Sequence, residues 1–363
     1  MAEEVWMLQT KKADFKQIGA RFRIDPVTAR IIRNRGIEGE AAIDRYLNGT
    51  LDDLYDPMLL KDMERAVSIL CEAVDTGKKI RIVGDYDIDG VCSTYILLQA
   101  FERLGSDVDF EIPDRIKDGY GINESIIEQA HADGVEVILT CDNGISAFHQ
   151  VELAKKYGMT VVITDHHEVP LDGEKEKIPP ADAVIDPKQE DCPYPFPEIC
   201  GAVVAYKLVQ VLYARRGVPQ MEWLDLLEFA AIATVGDVMK LQDENRILVK
   251  YGLKKMAQTK NLGLRRLAEK NNLDLGAITA YHIGFVIGPC LNAGGRLKTA
   301  KEALALLRAQ SEEEAERLAE ELKELNDTRK DMTEQGTEAA KLQVESWYQK
   351  DKVLVVFLPE CHE

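Results

Sequence analysis

The chain lacks the segments that mark membrane-spanning and secreted proteins. None of its apolar runs reaches the roughly 18–20 residues that a helix needs to cross a bilayer. Residues 1–6 do not join a basic segment to an apolar one, so we expect no secretory signal. The seven cysteines are scattered and odd in number, and Cys71, Cys92, Cys141 and Cys290 lie in apolar stretches. We therefore expect buried, reduced thiols in a cytoplasmic protein without membrane contact.

The chain also lacks an excess of positive charge, an internal repeat and a low-complexity tract. Its 45 Lys and Arg residues face 63 Asp and Glu residues, which gives a net charge of −18. That balance argues against a surface coated with positive charge for duplex DNA, but it is compatible with a local basic groove. With 363 residues, of which 45% are hydrophobic, the chain is long enough for two or three domains with a large core.

Apolar strands alternate with amphipathic helices in the first half of the chain. The predicted strands cover residues 79–83, 108–112, 135–140, 160–164 and 183–185. The predicted helices cover residues 63–76, 91–104, 124–132 and 146–157. This alternation predicts an α/β fold, a parallel sheet flanked by helices on both faces. In such sheets the functional groups lie at the carboxyl ends of the strands.

The rest of the chain has a different pattern. We expect a helical leader at residues 1–60 and a long ordered loop at residues 171–198, which are rich in proline and charge. After residue 200 the pattern predicts helices at residues 203–215, 223–235 and 245–257. A long connecting helix is expected at residues 311–348, with a break near Gly336. Residues 352–358 are predicted to form a strand that begins a further domain, which would make the chain a fragment of a longer protein.

Acidic and histidine residues follow three of the predicted strands. They are Asp85, Asp87 and Asp89 after the first, Asp142 after the third, and Asp165, His166 and His167 after the fourth. Gathering so many carboxylates costs Coulomb energy unless cations are present. Carboxylates with one or two imidazoles suit Mn²⁺ or Mg²⁺ better than Zn²⁺. Two such ions, about 3.5–4 Å apart, bind a phosphate oxygen and generate hydroxide from water.

Two of these residues stand out in a two-metal site. Asp142 lies on the middle strand end, where a carboxylate can bridge both ions. Asp237, which follows an apolar helix at residues 229–235, offers a further carboxylate, although a helix-end turn would explain it equally well.

Other interpretations of these residues are weaker. The spacing of Asp85, Asp87, Asp89 and Gly90 is similar to the start of a calcium-binding EF-hand loop, but the twelfth position is Ile96 and a strand precedes the loop. Helix capping would account for one aspartate, for which we take Asp89, but not for three at alternate positions. A lone histidine is usually a hydrogen-bonded core residue, whereas this doublet lies beside an aspartate in a chain with six histidines.

Taken together, the motifs resemble the DHH phosphoesterase superfamily. The motifs are GDYDIDG at residues 84–90, DNG at residues 142–144, DHH at residues 165–167 and GD at residues 236–237. Further stretches resemble its RecJ branch, the single-strand-specific 5′→3′ DNA exonucleases. They are PDR at residues 113–115, DGYG at residues 118–121, CGAVVAYK at residues 200–207 and LNAGGRL at residues 291–297. The resemblance runs from about residue 20 to the end of the chain.

The resemblance implies a role for each site residue. The metal ligands would be Asp85, Asp87, Asp89, Asp142, His166 and Asp237. Asp142 would bridge the two ions, and Asp85 would be more a supporting group than a direct ligand. His167 would contact the scissile phosphate or orient the water, with Asp165 as its support. Arg115, Tyr120, Asn292 and Arg296 would bind the substrate, Tyr120 by stacking on a base unless it packs locally. Many members carry a histidine two residues before the position of Asp85, where this chain has Val83, so the first metal site is poorer in ligands.

The resemblance also implies an organisation and a function. It implies a leader (1–60), a DHH catalytic domain (61–200), its helical part (201–310), a connecting helix (311–350) and the start of a DHHA1-like domain (351–363). The expected activity is 5′→3′ hydrolysis of single-stranded DNA in repair and recombination, by a monomer that works with a single-strand-binding protein and a helicase. The alternatives are hydrolysis of short oligonucleotides or cyclic dinucleotides, a truncated chain with little activity, and a replication scaffold without metal.

Overall fold

The computed structural model describes residues 7, 11–115, 117, 119–347 and 352–359. The strands are β1 (Ile80–Val83), β2 (Val108–Glu111), β3 (Val137–Cys141), β4 (Thr160–Thr164), β5 (Leu171–Asp172), β6 (Lys175–Glu176) and β7 (Ala183–Ile185). The helices are α1 (Phe15–Phe22), α2 (Pro26–Asn34), α3 (Glu40–Asn48), α4 (Met63–Asp75), α5 (Ile88–Arg103), α6 (Glu124–Ala132), α7 (Phe148–Lys156), α8 (Gly201–Arg215), α9 (Gln220–Leu224), α10 (Leu227–Gly236), α11 (Asp243–Met256), α12 (Leu262–Lys270), α13 (Ala280–His282), α14 (Gly288–Leu297), α15 (Lys301–Arg308) and α16 (Glu312–Trp347). Asp118 of the DGYG motif lies outside the described residues.

Five parallel strands form the central sheet, in the order β2-β1-β3-β4-β7. Successive residues of a strand point to opposite faces, so Leu139 of β3 and Val162 of β4 pack toward α4, α5 and α8. Ile138 and Ile163 pack on the other face, toward α6 and α7. The predicted α/β fold, with helices on both faces of a parallel sheet, is confirmed.

The predicted leader is helical where it is described. Helices α1–α3 enclose a small apolar cluster around Ile32, Ile37, Ile43 and Tyr46. The chain then passes through two short 3₁₀ turns, Leu51–Asp53 and Pro57–Leu59, to α4.

The helical region after α8 packs directly on the sheet domain. Helix α10 is buried along almost its whole length and lies against α5, α8 and α11, which explains why its sequence is apolar on every face. The prediction of a single helix at residues 223–235 is wrong. A turn at Asp225 and Leu226 separates α9 from α10, because the hydrogen bonds there change to the shorter i→i−3 spacing, as from Leu226 to Trp223.

Two predictions for the last part of the chain are also wrong. Helix α16 runs through Gly336 without a break, because one exposed glycine costs a helix only about 1 kcal/mol. Ion pairs between residues three or four apart, such as Lys341 with Glu338, support the helix beyond it. Residues 352–359 contain no strand, and Val353, Val355 and Phe357 are exposed there, because no described strand lies beside them to accept their hydrogen bonds. None of the described helices combines the length and the apolar character that crossing a bilayer requires.

Candidate metal centre

The turn from β1 into α5 places the first three aspartates. The cap of α5 is Asp87, not Asp89 as expected, because its Oδ1 accepts hydrogen bonds from the amides of Asp89 and Gly90 at 2.9 and 3.1 Å. The turn is tight, since a Cβ on Gly90 would lie 2.4 Å from the carbonyl oxygen of Asp85. The carboxylate of Asp85 is buried; Oδ1 accepts from the amide of Gly121 at 3.3 Å, and Oδ2 has no partner among the described residues.

Asp89 is held by the first residues of α8. Its Oδ2 accepts from the amide of Gly201 at 2.7 Å and its Oδ1 from the amide of Ala202 at 2.8 Å. These amides lie at the N-terminus of α8, and each of them satisfies one oxygen of the buried carboxylate. The CGAVVAYK segment therefore has a structural reason to lie at this site.

Asp142 lies at the end of β3, in the left-handed backbone region with φ of 61°. Asn143 fixes this turn, because its side-chain amide donates to the carbonyls of Val83 and Cys141 at 3.0 and 2.9 Å. Sequence reasoning did not assign Asn143 a role, although its place in the DNG motif was a signal. Oδ1 of Asp142 is buried and has no hydrogen-bond partner within the described part of the chain.

The two histidines after β4 have different surroundings. His166 is 6% exposed, and burial lowers its pKa. His167 is more exposed, and its Nδ1 lies 2.7 Å from Oδ1 of Asp165. Although burial opposes it, this hydrogen bond raises the pKa of His167 above its usual range. Asp165 in turn accepts from the amides of His166, His167 and Ile145, so both of its oxygens are engaged.

Nε2 of His166 is the point where the strand ends meet. It lies 3.0 Å from Oδ1 of Asp142, 3.4 Å from Oδ2 of Asp89 and 3.8 Å from Oδ2 of Asp237. Among the described residues, three groups of three side chains could hold a metal ion. Each side chain offers one ligand atom, and the three atoms of a group lie within 4.8 Å of one another. The groups are Asp142, His166 and His167; Asp89, His166 and Asp237; and Asp85, Asp87 and Asp142.

Three carboxyls of this site have raised pKa values. Burial, then the charge of Asp87, raises the pKa of Asp85 to about 7. Burial, then the charges of Asp89 and Asp87, raises the pKa of Asp237 to about 7. Burial raises the pKa of Asp142 well above its usual range. Unpartnered buried carboxylate oxygens beside imidazole nitrogens fit divalent cations that prefer oxygen and nitrogen ligands.

Tyr120 packs locally in the structure. Its hydroxyl donates to the backbone carbonyl of Asp142 at 2.7 Å and lies 3.1 Å from Nδ1 of His167.

Sequence reasoning missed Asp186, which directly follows β7 and could have been found from that position. Asp186 is buried with Oδ2 unpartnered, and burial, then the charge of Asp165, raises its pKa to about 7.

The predicted substrate-binding residues other than Tyr120 surround one cleft beside the metal centre. A cleft of about 250 Å³ is lined by Tyr86, Asp87, Ile88, Arg115, Gly236, Asn292, Gly295 and Arg296. The guanidinium of Arg115 lies 5.5 Å from the ring centre of Tyr86. Gly295 is required where α14 passes the β1–α5 turn, since a Cβ there would lie 2.4 Å from the carbonyl oxygen of Tyr86. The cleft continues to Arg329 of α16, which sequence reasoning missed.

Comparisons with known proteins agree with this geometry. A model of the DHH family, N-terminal domain, matches residues 79–234. The single-stranded-DNA-specific exonuclease RecJ of Bacillus subtilis (strain 168) is 37% identical over 336 residues, which are 92% of this chain and 41% of that protein. The RecJ of Escherichia coli (strain K12) is 35% identical over 356 residues, 94% of this chain and 60% of that protein. The chain thus spans about half the length of these curated relatives.

Solved structures give the same result. A crystal structure of exonuclease RecJ bound to manganese is 34% identical with a TM-score of 0.73, and the match covers 84% of this chain and 74% of that one. RecJ from Thermus thermophilus in complex with Mn²⁺ is 30% identical with a TM-score of 0.78, and the match covers 96% of this chain and 48% of that one. The chain therefore belongs to the DHH family and, within it, to the RecJ group.

Proposed function

We propose that the chain is the catalytic core of a metal-dependent exonuclease that hydrolyses phosphodiester bonds of single-stranded DNA from the 5′ end. The observation that carries the proposal is the meeting of Asp142, Asp89, Asp237 and the two histidines around unpartnered oxygens, beside an arginine-lined cleft. The relatives named above are single-stranded-DNA-specific exonucleases, which supports the same substrate.

Two divalent cations, Mn²⁺ or Mg²⁺, are the proposed cofactors. Asp85, Asp87 and Asp142 would hold one, and Asp89, Asp142, His166 and Asp237 the other, with Asp142 between them. When bound, such ions polarise a phosphate oxygen and lower the pKa of a water ligand. The manganese-bound RecJ structures among the relatives support Mn²⁺.

His167 is proposed to contact the scissile phosphate. Asp165 holds Nδ1 of the imidazole and raises its pKa, which favours the charged form of the ring. In that form Nε2 would donate a hydrogen bond to a phosphate oxygen. Tyr120 contacts the same ring, and it holds the backbone of Asp142 by its hydroxyl. We infer that Tyr120 positions these two residues whether or not it also meets a base.

The strand would enter along the cleft of Arg115, Asn292 and Arg296. A guanidinium binds phosphate oxygens in a fork geometry, and an amide adds a further donor. These groups are local, in a chain whose overall charge is −18, so the cleft can hold a single strand while the surface repels duplex DNA.

The cellular setting and the domain organisation are proposed from the likeness to the RecJ exonucleases. The enzyme would act as a monomer in the cytoplasm, in DNA repair and recombination, together with a single-strand-binding protein and a helicase. Its parts would be a leader (1–60), the DHH domain (61–200), a helical part (201–310), the connecting helix (311–350) and a segment that leads into a DHHA1-like domain (351–363).

The test is the substitution Asp142→Asn. Asparagine tolerates the left-handed backbone of this position, so the fold should persist while the shared ligand is lost. We expect Mn²⁺-dependent release of nucleotides from a long single strand to fall at least about 100-fold. Asp172→Asn, an exposed change in the β5–β6 hairpin, is the matched control and should leave the rate unaltered.

Substrate choice is tested in the same assay. A single strand, the corresponding duplex and a dinucleotide are compared at equal concentration. Faster release from the single strand supports the exonuclease, whereas a preference for the dinucleotide, or full activity in Asp142→Asn, would contradict the proposal.

A further inference from the structure

A second cleft lies beyond the first, where α14 meets α16. It has a volume of about 190 Å³ and is lined by Gly236, Gly284, Gly288, Pro289, Asn292, Arg296 and Arg329. Two of these residues are arginines and none is acidic. It shares Gly236, Asn292 and Arg296 with the cleft beside Asp87, so the two form one groove that leads away from the metal centre.

Arg329 is held at its base and open at its tip. Its Nε donates to Oδ1 of Asn326 at 3.2 Å, and Asn326 is itself 1% exposed and bonded to Sγ of Cys290 at 3.5 Å. The Nη groups of Arg329 make no hydrogen bond or ion pair with the described residues. Arg317 on the same helix, by contrast, pairs with Glu321 at 3.0 Å.

Arg296 and Arg329 lack ion pairs with the residues that the structure describes. Burial, followed by the charges of Arg329 and Arg115, lowers the pKa of Arg296. Since the chain has 63 acidic residues for 45 basic ones, carboxylate partners are abundant elsewhere, and adjacent unpaired arginines favour an anionic ligand.

Asn292 adds a neutral donor to the same place. Its side-chain Nδ2 donates no hydrogen bond to the described residues, and the residue lines both clefts. The guanidinium groups of Arg296 and Arg329 and the side-chain amide of Asn292 are hydrogen-bond donors that suit the oxygens of a phosphodiester.

We propose that Arg329, with Arg296 and Asn292, binds the phosphodiester group next to the scissile one. Helix α16 then contributes directly to the grip on the strand, in addition to connecting two parts of the chain. This assignment rests on the proposed function, because it takes single-stranded DNA as the ligand.

Binding in EDTA separates this assignment from catalysis. The affinity of the whole chain for a fluorescent 12-nucleotide strand is measured by anisotropy between 20 and 200 mM salt, for the wild type and for Arg329→Ala. Loss of a charge-assisted contact should weaken binding about 10-fold or more. The dependence of log affinity on log salt concentration should become shallower by about 0.7, the contribution of one phosphate on a single strand.

Controls identify the contact. Arg317→Ala, on the same helix, should bind as the wild type does, and Arg329→Lys should restore part of the affinity because it keeps the charge. With Mn²⁺, Arg329→Ala should raise KM for the long strand about 10-fold at unchanged kcat. It should leave hydrolysis of the dinucleotide TpT unaltered, because TpT has no second phosphodiester.

Several results would overturn the assignment. One is unchanged strand affinity in Arg329→Ala. Another is the lack of measurable strand binding by the wild type at 20 mM salt. A third is binding of inorganic phosphate at Arg329 that has no effect on strand binding. Absence of Mn²⁺-dependent cleavage alongside normal, Arg329-dependent binding would contradict the proposed function and not this site.

Discussion

At the scale of single residues, two carboxyls of the candidate metal centre are weaker acids in this fold than in water. Asp85 and Asp237 each have a pKa raised to about 7, with burial as the main cause and neighbouring aspartates as the second. The pKa of His167 is raised as well, by Asp165. Each of these groups holds its proton more tightly in the folded than in the unfolded chain, so each contributes stability at low pH that is lost as the pH rises through the folded pKa.

The metal-free protein should therefore lose stability between about pH 5 and pH 8. We expect the free energy of unfolding by urea, measured in EDTA, to fall over this range, and Mn²⁺ at pH 8 to restore it, because the ions bind the deprotonated ligands. Asp237→Asn should flatten the fall, since it removes one of the raised pKa values. A metal-free chain that is equally stable at pH 6 and pH 8 would contradict this electrostatic account.

At the scale of elements, the start of α8 connects the two sides of the metal centre. Its first amides hold Asp89, and its first residue lies directly against Asp142. A Cβ on Gly201 would lie 2.7 Å from Cβ and 2.9 Å from Oδ1 of Asp142. One glycine thus sets how closely the helix and the end of β3 approach.

Gly201→Ala should displace Asp142 while the fold persists. We expect Mn²⁺ affinity, measured by calorimetry, to fall by about 10-fold or more, because a shift of well below 1 Å would misplace the carboxylate that we propose as a shared ligand. Gly336→Ala in α16 is the control, as it also adds a methyl to a helical glycine, but far from the ligands. Equal Mn²⁺ affinity in the two variants would show that the close approach at Gly201 does not position the carboxylate.

At the scale of the whole molecule, a buried ion pair joins the leader to the helical region. Nζ of Lys207 on α8 lies 3.0 Å from Oε2 of Glu244 on α11 and donates to the carbonyl of Tyr55 at 3.0 Å. The hydroxyl of Tyr194 bonds the other oxygen of Glu244. Both charged residues have at most 1% exposure, so neither can turn to water if its partner is removed.

Lys207→Met should destabilise the protein by about 3–5 kcal/mol, because it leaves the charge of Glu244 buried and unpaired. The measurement is urea unfolding at pH 7 with saturating Mn²⁺, which keeps the metal centre constant. The double variant Lys207→Met with Glu244→Gln removes both charges and should recover a large part of the loss. A double variant as unstable as the single one would mean that packing, not charge, explains the effect.

The local patterns in the sequence predicted the sheet and the position of its acidic residues. Apolar strands such as β3 and β4 are defined by neighbouring residues, and the carboxyl ends of parallel strands must share one edge. The patterns failed where the outcome depends on distant residues. Residues 352–358 are apolar enough for a strand, yet a strand needs hydrogen-bond partners that the local sequence does not supply.

By itself, the sequence determined the parallel fold, the cluster of aspartates and histidines at three strand ends, and the resemblance to the DHH family. Only the tertiary structure decided that Asp87 caps α5, that the amides of α8 hold Asp89, that Tyr120 supports Asp142, and that Arg329 faces the cleft of Arg296. The physical reason is that strand and helix patterns arise from neighbours along the chain. Which oxygens remain unpartnered, and which arginines remain without a counter-charge, depends on the packing of elements that are far apart in sequence.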